Sequence, residues 1–127
     1  MRKTVATTTG AKPIGPYSQA IIAEGKFVYF SGQGPLNPDT GQLVLGSFRE
    51  QALRTFTNLG LLLSAAGAGW DDVVKVNVYL SDLDNFGEMN EIYRQFMHEP
   101  FPARTTVGAA LLMEIAIEVD AVAVVPG

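Results

Sequence analysis

Two charged residues near the C-terminus stand in otherwise apolar surroundings. Arg104 is the only Lys or Arg after Arg94, and Glu118 lies inside the segment 115–119, whose other members are apolar. If residues 104–118 fold as an antiparallel hairpin with its turn near 110–112, Arg104 faces Glu118, with Cβ atoms about 4.5 to 5.5 Å apart. The pair would then be either a structural ion pair or a site where a small anion is attacked by water.

Other reactive residue types are scarce. The chain has no cysteine and a single histidine, His98. Disulfides, thiolate metal sites and thiol nucleophiles are therefore excluded, and one histidine cannot build a multi-histidine metal cluster. We interpret His98 as structural or solvated, and we predict no metal site.

Composition limits the partners of the protein. The 127 residues fit one domain spanning 1–127, and a net charge of -4 with scattered Lys and Arg argues against nucleic acid as the main partner. The N-terminus lacks the apolar core of a signal peptide and no apolar run is long enough to span a membrane, so we expect a cytoplasmic protein without membrane contact. With 47% apolar and only 17% charged residues, a monomer would expose apolar patches, which predicts self-association.

Hydrophobic periodicity predicts the order strands, helix, strand, helix, strands. Around Val5 we expect a first strand, and segments 19–24 and 27–31 are typical of two strands joined by a hairpin turn at 25–26. Ser47 and Glu50 have the spacing of a capping box that begins a helix, which Gly67 would end in the left-handed conformation. Segment 74–80 alternates as a half-buried strand.

The second predicted helix begins near Asp84 and carries a polar residue, Asn90, in its apolar stripe. Its amide either bonds to nearby backbone or reaches into a site. Two final strands, 104–110 and 115–125, would form the hairpin described above. The sequence thus predicts an α+β fold with two helices on one face of a mixed sheet.

Several motifs, in this order and spacing, resemble the reactive intermediate deaminase (RidA/YjgF) family, also called the endoribonuclease L-PSP family, over nearly the whole chain. They are Ile-Gly-Pro-Tyr-Ser-Gln-Ala at 14–20, Ser-Gly-Gln at 31–33, Leu-Asn-Pro-Asp-Thr-Gly at 36–41, Asn-Glu-Ile-Tyr at 90–93, Phe-Pro-Ala-Arg at 101–104 and Ile-Glu-Val at 117–119. The resemblance implies a chorismate-mutase-like fold and a homotrimer around a central barrel, with active sites between subunits.

The resemblance also implies an activity that uses no cofactor. Family members hydrolyse reactive enamines or imines, such as 2-aminoacrylate and related 2-imino acids, to 2-keto acids and ammonia. By this resemblance Arg104 would bind the substrate carboxylate and Glu118 would activate the attacking water. Residues expected around the small-molecule substrate are Tyr17, Ser31, Gly32, Asn90, Tyr93 and Thr106. From the sequence alone, Tyr17 could equally be a packing residue.

The chain departs from its relatives at two points. Thr106 stands where many have cysteine, which we expect to spare catalysis because no thiolate is needed. The segment 109–113 replaces a turn that carries Leu-Pro and charges, so substrate preference could differ. The sequence leaves two other functions open: a non-enzymatic, holdase-like or regulatory interaction module using the apolar clefts, and a ribonuclease or translation inhibitor. The acidic balance and the single histidine disfavour the nuclease.

Overall fold

Two helices cover one face of a four-stranded sheet in the computed structural model, which describes residues 2–127. The four-stranded sheet has the order β3-β6-β4-β5, and β1 and β2 form a separate two-stranded sheet. The elements are β1 (Arg2–Val5), β2 (Ala20–Ala23), β3 (Lys26–Gln33), α1 (Phe48–Ala65), β4 (Val73–Leu80), α2 (Phe86–Phe96), β5 (Ala103–Gly108) and β6 (Ile117–Val125). The predicted α+β arrangement is confirmed, and the sheet is mixed because only β4 and β5 run parallel.

Local signals position the first helix. Ser47 is the N-cap of α1, its side chain accepts a hydrogen bond from the Glu50 amide, and the Glu50 side chain returns to the Ser47 backbone. Gly67, with φ of 73°, follows the C-terminal end of the helix in the left-handed region. Both predicted boundaries are confirmed, because caps depend on residues only a few positions apart.

The core lies between the helices and the sheet. Alternate residues of β4 and β6 point towards the helices, where they meet apolar residues of α1 and α2. The fully buried members include Phe56, Leu59, Val76, Val78, Leu80, Met89, Ile92, Tyr93, Ile117 and Val119. The intervening residues of both strands point to the opposite side, here called the open face.

The hairpin predicted for the last two strands is wrong. β5 pairs with β4 in parallel, and β4 lies between β5 and β6. The unit β4-α2-β5 is a strand-helix-strand crossover, which joins parallel neighbours. Segment 109–116 lacks residues that favour tight turns, and it forms a longer connection with a 3₁₀ turn at Leu112–Glu114.

The hairpin predicted around residue 25 is also wrong. β2 pairs with β1, whereas β3 pairs with β6. Gly25 does turn the chain, with φ of 137°, but a Cβ there would lie 2.4 Å from the Val125 carbonyl oxygen. The glycine therefore allows the turn to pack closely against the end of β6. It does not join β2 and β3 as a hairpin.

The open face carries large exposed side chains. Phe27 and Tyr29 of β3 are 49% and 76% exposed, and their rings stack with centroids 6.4 Å apart. Within residues 2–127, no helix packs on this face, and neither helix is long and apolar enough to cross a bilayer.

Candidate active site

The pairing of β5 with β4 directs Arg104 towards the helices. Arg104 lies beside Val76, a core residue of β4, and is only 9% exposed. Its Nη1 donates a hydrogen bond of 2.8 Å to Oδ1 of Asn90 on α2. The Asn90 amide oxygen thus bonds to a side chain of the predicted site rather than to nearby backbone.

Aromatic rings surround the guanidinium. Its Cζ lies 5.0 Å from the ring centroid of Tyr93, 5.4 Å from that of Tyr17 and 5.7 Å from that of Phe86. The negative ring faces stabilise a cation and fix its position. Burial raises the pKa of the Tyr93 hydroxyl, although the nearby charges of Arg104 and Arg2 lower it in part. Tyr93 therefore stays neutral and does not serve as a counter-ion.

Arg104 has no carboxylate partner among the described residues, where the one salt bridge joins Arg49 to Glu88 at the surface. Burial lowers the pKa of the Arg104 guanidinium. A buried charge without a counter-ion is costly. The surroundings of Arg104 are therefore suited to bind an anion.

The side chain of Thr106 borders the same space. A small pocket of about 190 Å³ is lined by Arg104, Thr106, Tyr17, Phe86 and Ile14. Within the described residues, the buried hydroxyl of Thr106 has no hydrogen-bond partner. A guanidinium and a free hydroxyl together match the two oxygens of a carboxylate.

Glu118 belongs to the other side of the sheet. It pairs with Tyr79 of β4 and lies between two core residues of its own strand, so its side chain projects from the open face. An irregularity in the pairing of β3 between Phe30 and Gln33 brings Gly32 beneath it. A Cβ on Gly32 would lie only 2.2 Å from Glu118 Oε2.

Asp120, the neighbouring carboxylate on the open face, already accepts hydrogen bonds from two side chains. Asp120 accepts hydrogen bonds of 2.8 Å from Asn77 Nδ2 and 2.9 Å from Tyr79 Oη. The pKa of Tyr79 is raised mainly by this bond, with contributions from burial and from the charges of Asp120 and Glu118. Glu118 has no such donors within residues 2–127, which leaves its carboxylate available to a water or a ligand.

The prediction that Arg104 faces Glu118 is wrong for a single chain. The two residues lie two strands apart, at positions that pair with Val76 and Tyr79 of β4. With strands about 4.8 Å apart and a rise of about 3.3 Å per residue, their Cα atoms are separated by roughly 14 Å. Their side chains also leave opposite faces of the sheet, so one small molecule cannot touch both in the same chain.

The predicted site residues thus fall into two half-sites. The cation half-site unites Arg104 with Tyr17, Asn90, Tyr93 and Thr106, and the acid half-site unites Glu118 with Gly32 and the adjoining, exposed Ser31. The sequence analysis did not assign Phe86 to the site, although its ring lies against the guanidinium. Its position four residues before Asn90, hence on the same helical face, was the available signal.

The described side chains offer no cluster of metal ligands. Within residues 2–127, no three His, Cys, Asp or Glu side chains are grouped so that they could hold a metal ion. His98 is exposed just beyond the end of α2.

Comparison with known proteins gives one consistent family. The family model described as Endoribonuclease L-PSP matches residues 7–125. A RutC family protein of Pyrococcus abyssi is 44% identical over 123 residues, covering 96% of each chain. A protein of Dermatophagoides farinae named 2-iminobutanoate/2-iminopropanoate deaminase is 39% identical over 125 residues, covering 98% of this chain and 97% of the relative.

A solved structure is similar as well. The crystal structure of RidA from an Antarctic bacterium, Psychrobacter, superposes with a TM-score of 0.75 at 36% identity, covering 97% of this chain and 99% of that one. The family model, the sequence relatives and the structural neighbour agree with the resemblance found in the motifs. The chain belongs to the RidA/YjgF family, described by its family model as Endoribonuclease L-PSP.

Proposed function

We propose that this protein is a hydrolytic deaminase that converts reactive 2-imino acids and their enamine forms, such as 2-aminoacrylate, to 2-keto acids and ammonia. The observation that carries this proposal is the buried Arg104 guanidinium, which has no counter-ion within residues 2–127 and shares its pocket with the unpartnered hydroxyl of Thr106. A 2-imino acid supplies the missing carboxylate. Relatives at about 40% identity carry the name of such a deaminase.

The reaction requires donors that bind the substrate carboxylate and a base that activates water. Arg104 and Thr106 bind the substrate carboxylate, and Asn90 and the rings fix the guanidinium plane. Glu118 accepts a proton from a water as its oxygen bonds to the imine carbon, and it passes that proton to the nitrogen, which gives an adduct with a hydroxyl and an amino group on one carbon. The hydroxyl proton of the adduct then moves to the nitrogen as the carbon–nitrogen bond breaks, which releases ammonia and leaves the 2-keto acid. No cofactor enters this scheme.

The two half-sites come from two copies of the chain. Because Arg104 and Glu118 leave opposite faces of one sheet, Glu118 must be supplied by a second subunit. In a closed ring each subunit gives its cation half-site to one neighbour and its acid half-site to the other. We propose the homotrimer, with its barrel formed by the open faces, because burial of Phe27 and Tyr29 there would remove exposed apolar surface.

The test generates imines in situ, either from amino acids with an amino-acid oxidase or as 2-aminoacrylate with a dehydratase, and measures accelerated release of keto acid. Arg104→Ala should abolish the acceleration. Arg104→Lys should lose most of it, because lysine keeps the charge but not the two parallel donors. The control Arg49→Lys alters an exposed arginine and should match the parent.

The outcomes also separate the competing functions. No acceleration for any imine would overturn the deaminase proposal. An Arg104→Lys protein within twofold of the parent would make the arginine structural. Suppression of the aggregation of an unfolded client, retained in Arg104→Ala while the parent shows no deaminase activity, would favour the interaction module instead.

A further inference from the structure

Three side chains of the open face form a hydrogen-bonded cluster beside Glu118. Asn77 and Asp120 are direct partners across β4 and β6, and Asn77 Nδ2 donates to Asp120 Oδ1 at 2.8 Å. Tyr79 Oη donates to the second oxygen, Asp120 Oδ2, at 2.9 Å. Each carboxylate oxygen of Asp120 therefore has its own donor, and the reaction scheme above gives this cluster no task.

The direct partner of Tyr79 across the strands is Glu118, not Asp120. Directly opposed side chains have Cβ atoms about 4.5 to 5.5 Å apart, whereas diagonal neighbours lie roughly 7 to 8 Å apart. The Tyr79 hydroxyl thus bonds to the carboxylate at the diagonal position. The carboxylate directly opposite, that of Glu118, has no donor among residues 2–127.

The charge of Glu118 nevertheless acts on the Tyr79 hydroxyl. The pKa of Tyr79 is raised by its bond to Asp120, then by burial, and then by the charges of Asp120 and Glu118. Tyr79 therefore keeps its proton at neutral pH. Two carboxylates lie near enough to interact with that proton, and only one of them receives it.

A hydrogen bond from Tyr79 to Glu118 would oppose the proposed reaction. A donor on an ionised carboxylate stabilises the charged form and so makes the group a poorer proton acceptor. It would also occupy a lone pair of the oxygen that must bind the attacking water. Glu118 has to take up a proton in every turnover, whereas Asp120 does not.

We propose, on the basis of the deaminase function proposed above, that Asp120 is a positioning residue that binds the Tyr79 hydroxyl and so keeps it from Glu118. Asn77 holds the Asp120 carboxylate in place through the other oxygen. Glu118 then stays open to water on both oxygens. Asp120 thus acts through Tyr79 and not on the substrate.

The experiment measures kcat and KM for 2-imino acids generated in situ, in the parent, Asp120→Ala, Tyr79→Phe and the double variant. Asp120→Ala frees the Tyr79 hydroxyl to bond to Glu118, so kcat should fall about tenfold or more, a part of the full effect of a positioned base. KM should stay near the parental value, because Arg104 leaves the other face of the sheet.

The double variant separates this role from a structural one. Tyr79→Phe removes the competing hydroxyl and should keep kcat near that of the parent. Adding Tyr79→Phe to Asp120→Ala should restore most of the lost activity. If the cluster served only to hold the sheet together, the double variant would be at least as slow as Asp120→Ala.

A second substitution and a structural measurement support the assay. Asp120→Val also removes the acceptor but suits a strand, so it should show the same loss and the same recovery. A crystal structure of Asp120→Ala should place Tyr79 Oη within about 3.2 Å of a Glu118 carboxylate oxygen. Asp71→Ala, at an exposed aspartate outside the cluster, is the control and should match the parent.

The outcomes distinguish this role from the function on which it rests. Parental kcat in both Asp120→Ala and Asp120→Val would overturn the role of Asp120 and leave the deaminase intact. The same holds if the double variant, with the parental mass by light scattering, is as slow as Asp120→Ala. Hydrolysis of no imine by the parent would overturn the deaminase function, and the role of Asp120 with it.

Discussion

The carboxylate of Glu118 rests directly against the bare α-carbon of Gly32. The 2.2 Å between Glu118 Oε2 and a hypothetical Cβ on residue 32 is far below any real contact. Gly32 does not have a positive φ, so the backbone itself would accept a side chain. The absence of a side chain at this position therefore serves the placement of the carboxylate.

Gly32→Ala should displace the Glu118 carboxylate while the fold survives, because the end of a flexible side chain can move. We expect kcat for imine hydrolysis to fall roughly 10²-fold or more, as when a positioned base is lost. KM should change little. Gly87→Ala is the control, since a Cβ there meets nothing within 4 Å. Unchanged turnover in Gly32→Ala would show that the position of Glu118 is not critical.

The unpartnered hydroxyl of Thr106 yields a second prediction. Thr106→Val keeps the shape of the side chain and removes the donor, so KM should rise about 10- to 100-fold if a charge-assisted hydrogen bond is lost. Thr106→Ser should stay near the parent, and Thr57→Val, an exposed site on α1, serves as the control. A Thr106→Val protein with the parental KM would assign carboxylate binding to Arg104 alone.

Local signals in the sequence predicted the elements well, but not their pairing. The Ser47 cap, the Gly67 terminus and the alternation along β4 depend on neighbours a few residues apart, and all three were confirmed. Strand order depends on contacts between distant segments, so both predicted hairpins were wrong. The crossover from β4 through α2 to β5 was visible in the predicted order of elements and indicates parallel pairing.

The geometry of the candidate site also depends on the pairing of distant strands. The residue types and the motifs predict Arg104 and Glu118 as site residues, but the pairing of both strands with β4, at Val76 and Tyr79, decides that their side chains leave opposite faces. An apolar groove of about 620 Å³ between α1 and the segments 34–43 and 112–115 could not be predicted at all, because it joins a helix with two loops that are distant in sequence.

Mixed oligomers test whether two copies complete each site. Arg104→Ala and Glu118→Gln should each be nearly inactive, the latter by roughly 10²- to 10⁴-fold in rate. When the two variants are unfolded, mixed in equal amounts and refolded together, about one quarter of the sites in a cyclic oligomer should receive both an intact arginine and an intact glutamate. Activity should recover to that fraction.

The control for this experiment mixes the two variants after separate refolding, under conditions without subunit exchange, and should show no recovery. Failure to recover activity in the co-refolded sample, with mixed oligomers demonstrated by mass spectrometry, would contradict the shared site.

The exposed aromatic pair on the open face gives the fourth prediction. Tyr29→Asp adds a charge at a position 76% exposed in the single chain, so it should cost the monomer little. In an assembly the same carboxylate would be buried without a partner, which is costly. Light scattering should therefore report a shift from trimer to monomer, and deaminase activity should be lost although Arg104 and Glu118 are intact.

Leu45→Asp places the same charge on an exposed leucine outside the open face and should leave both mass and activity unchanged. A Tyr29→Asp protein that remains trimeric would place the interface elsewhere, and a fully active monomer would contradict the shared site.

The apolar groove between α1 and the segments 34–43 and 112–115 and the Arg104 pocket are built from different kinds of structure. Arg104 and its partners stand on β5 and α2, where packing with the core tolerates little change. Much of the groove wall comes from segments 34–43 and 112–115, which are loops and accept substitution and insertion more readily. Substitutions in these two loops can therefore reshape the groove without disturbing the packing that holds Arg104.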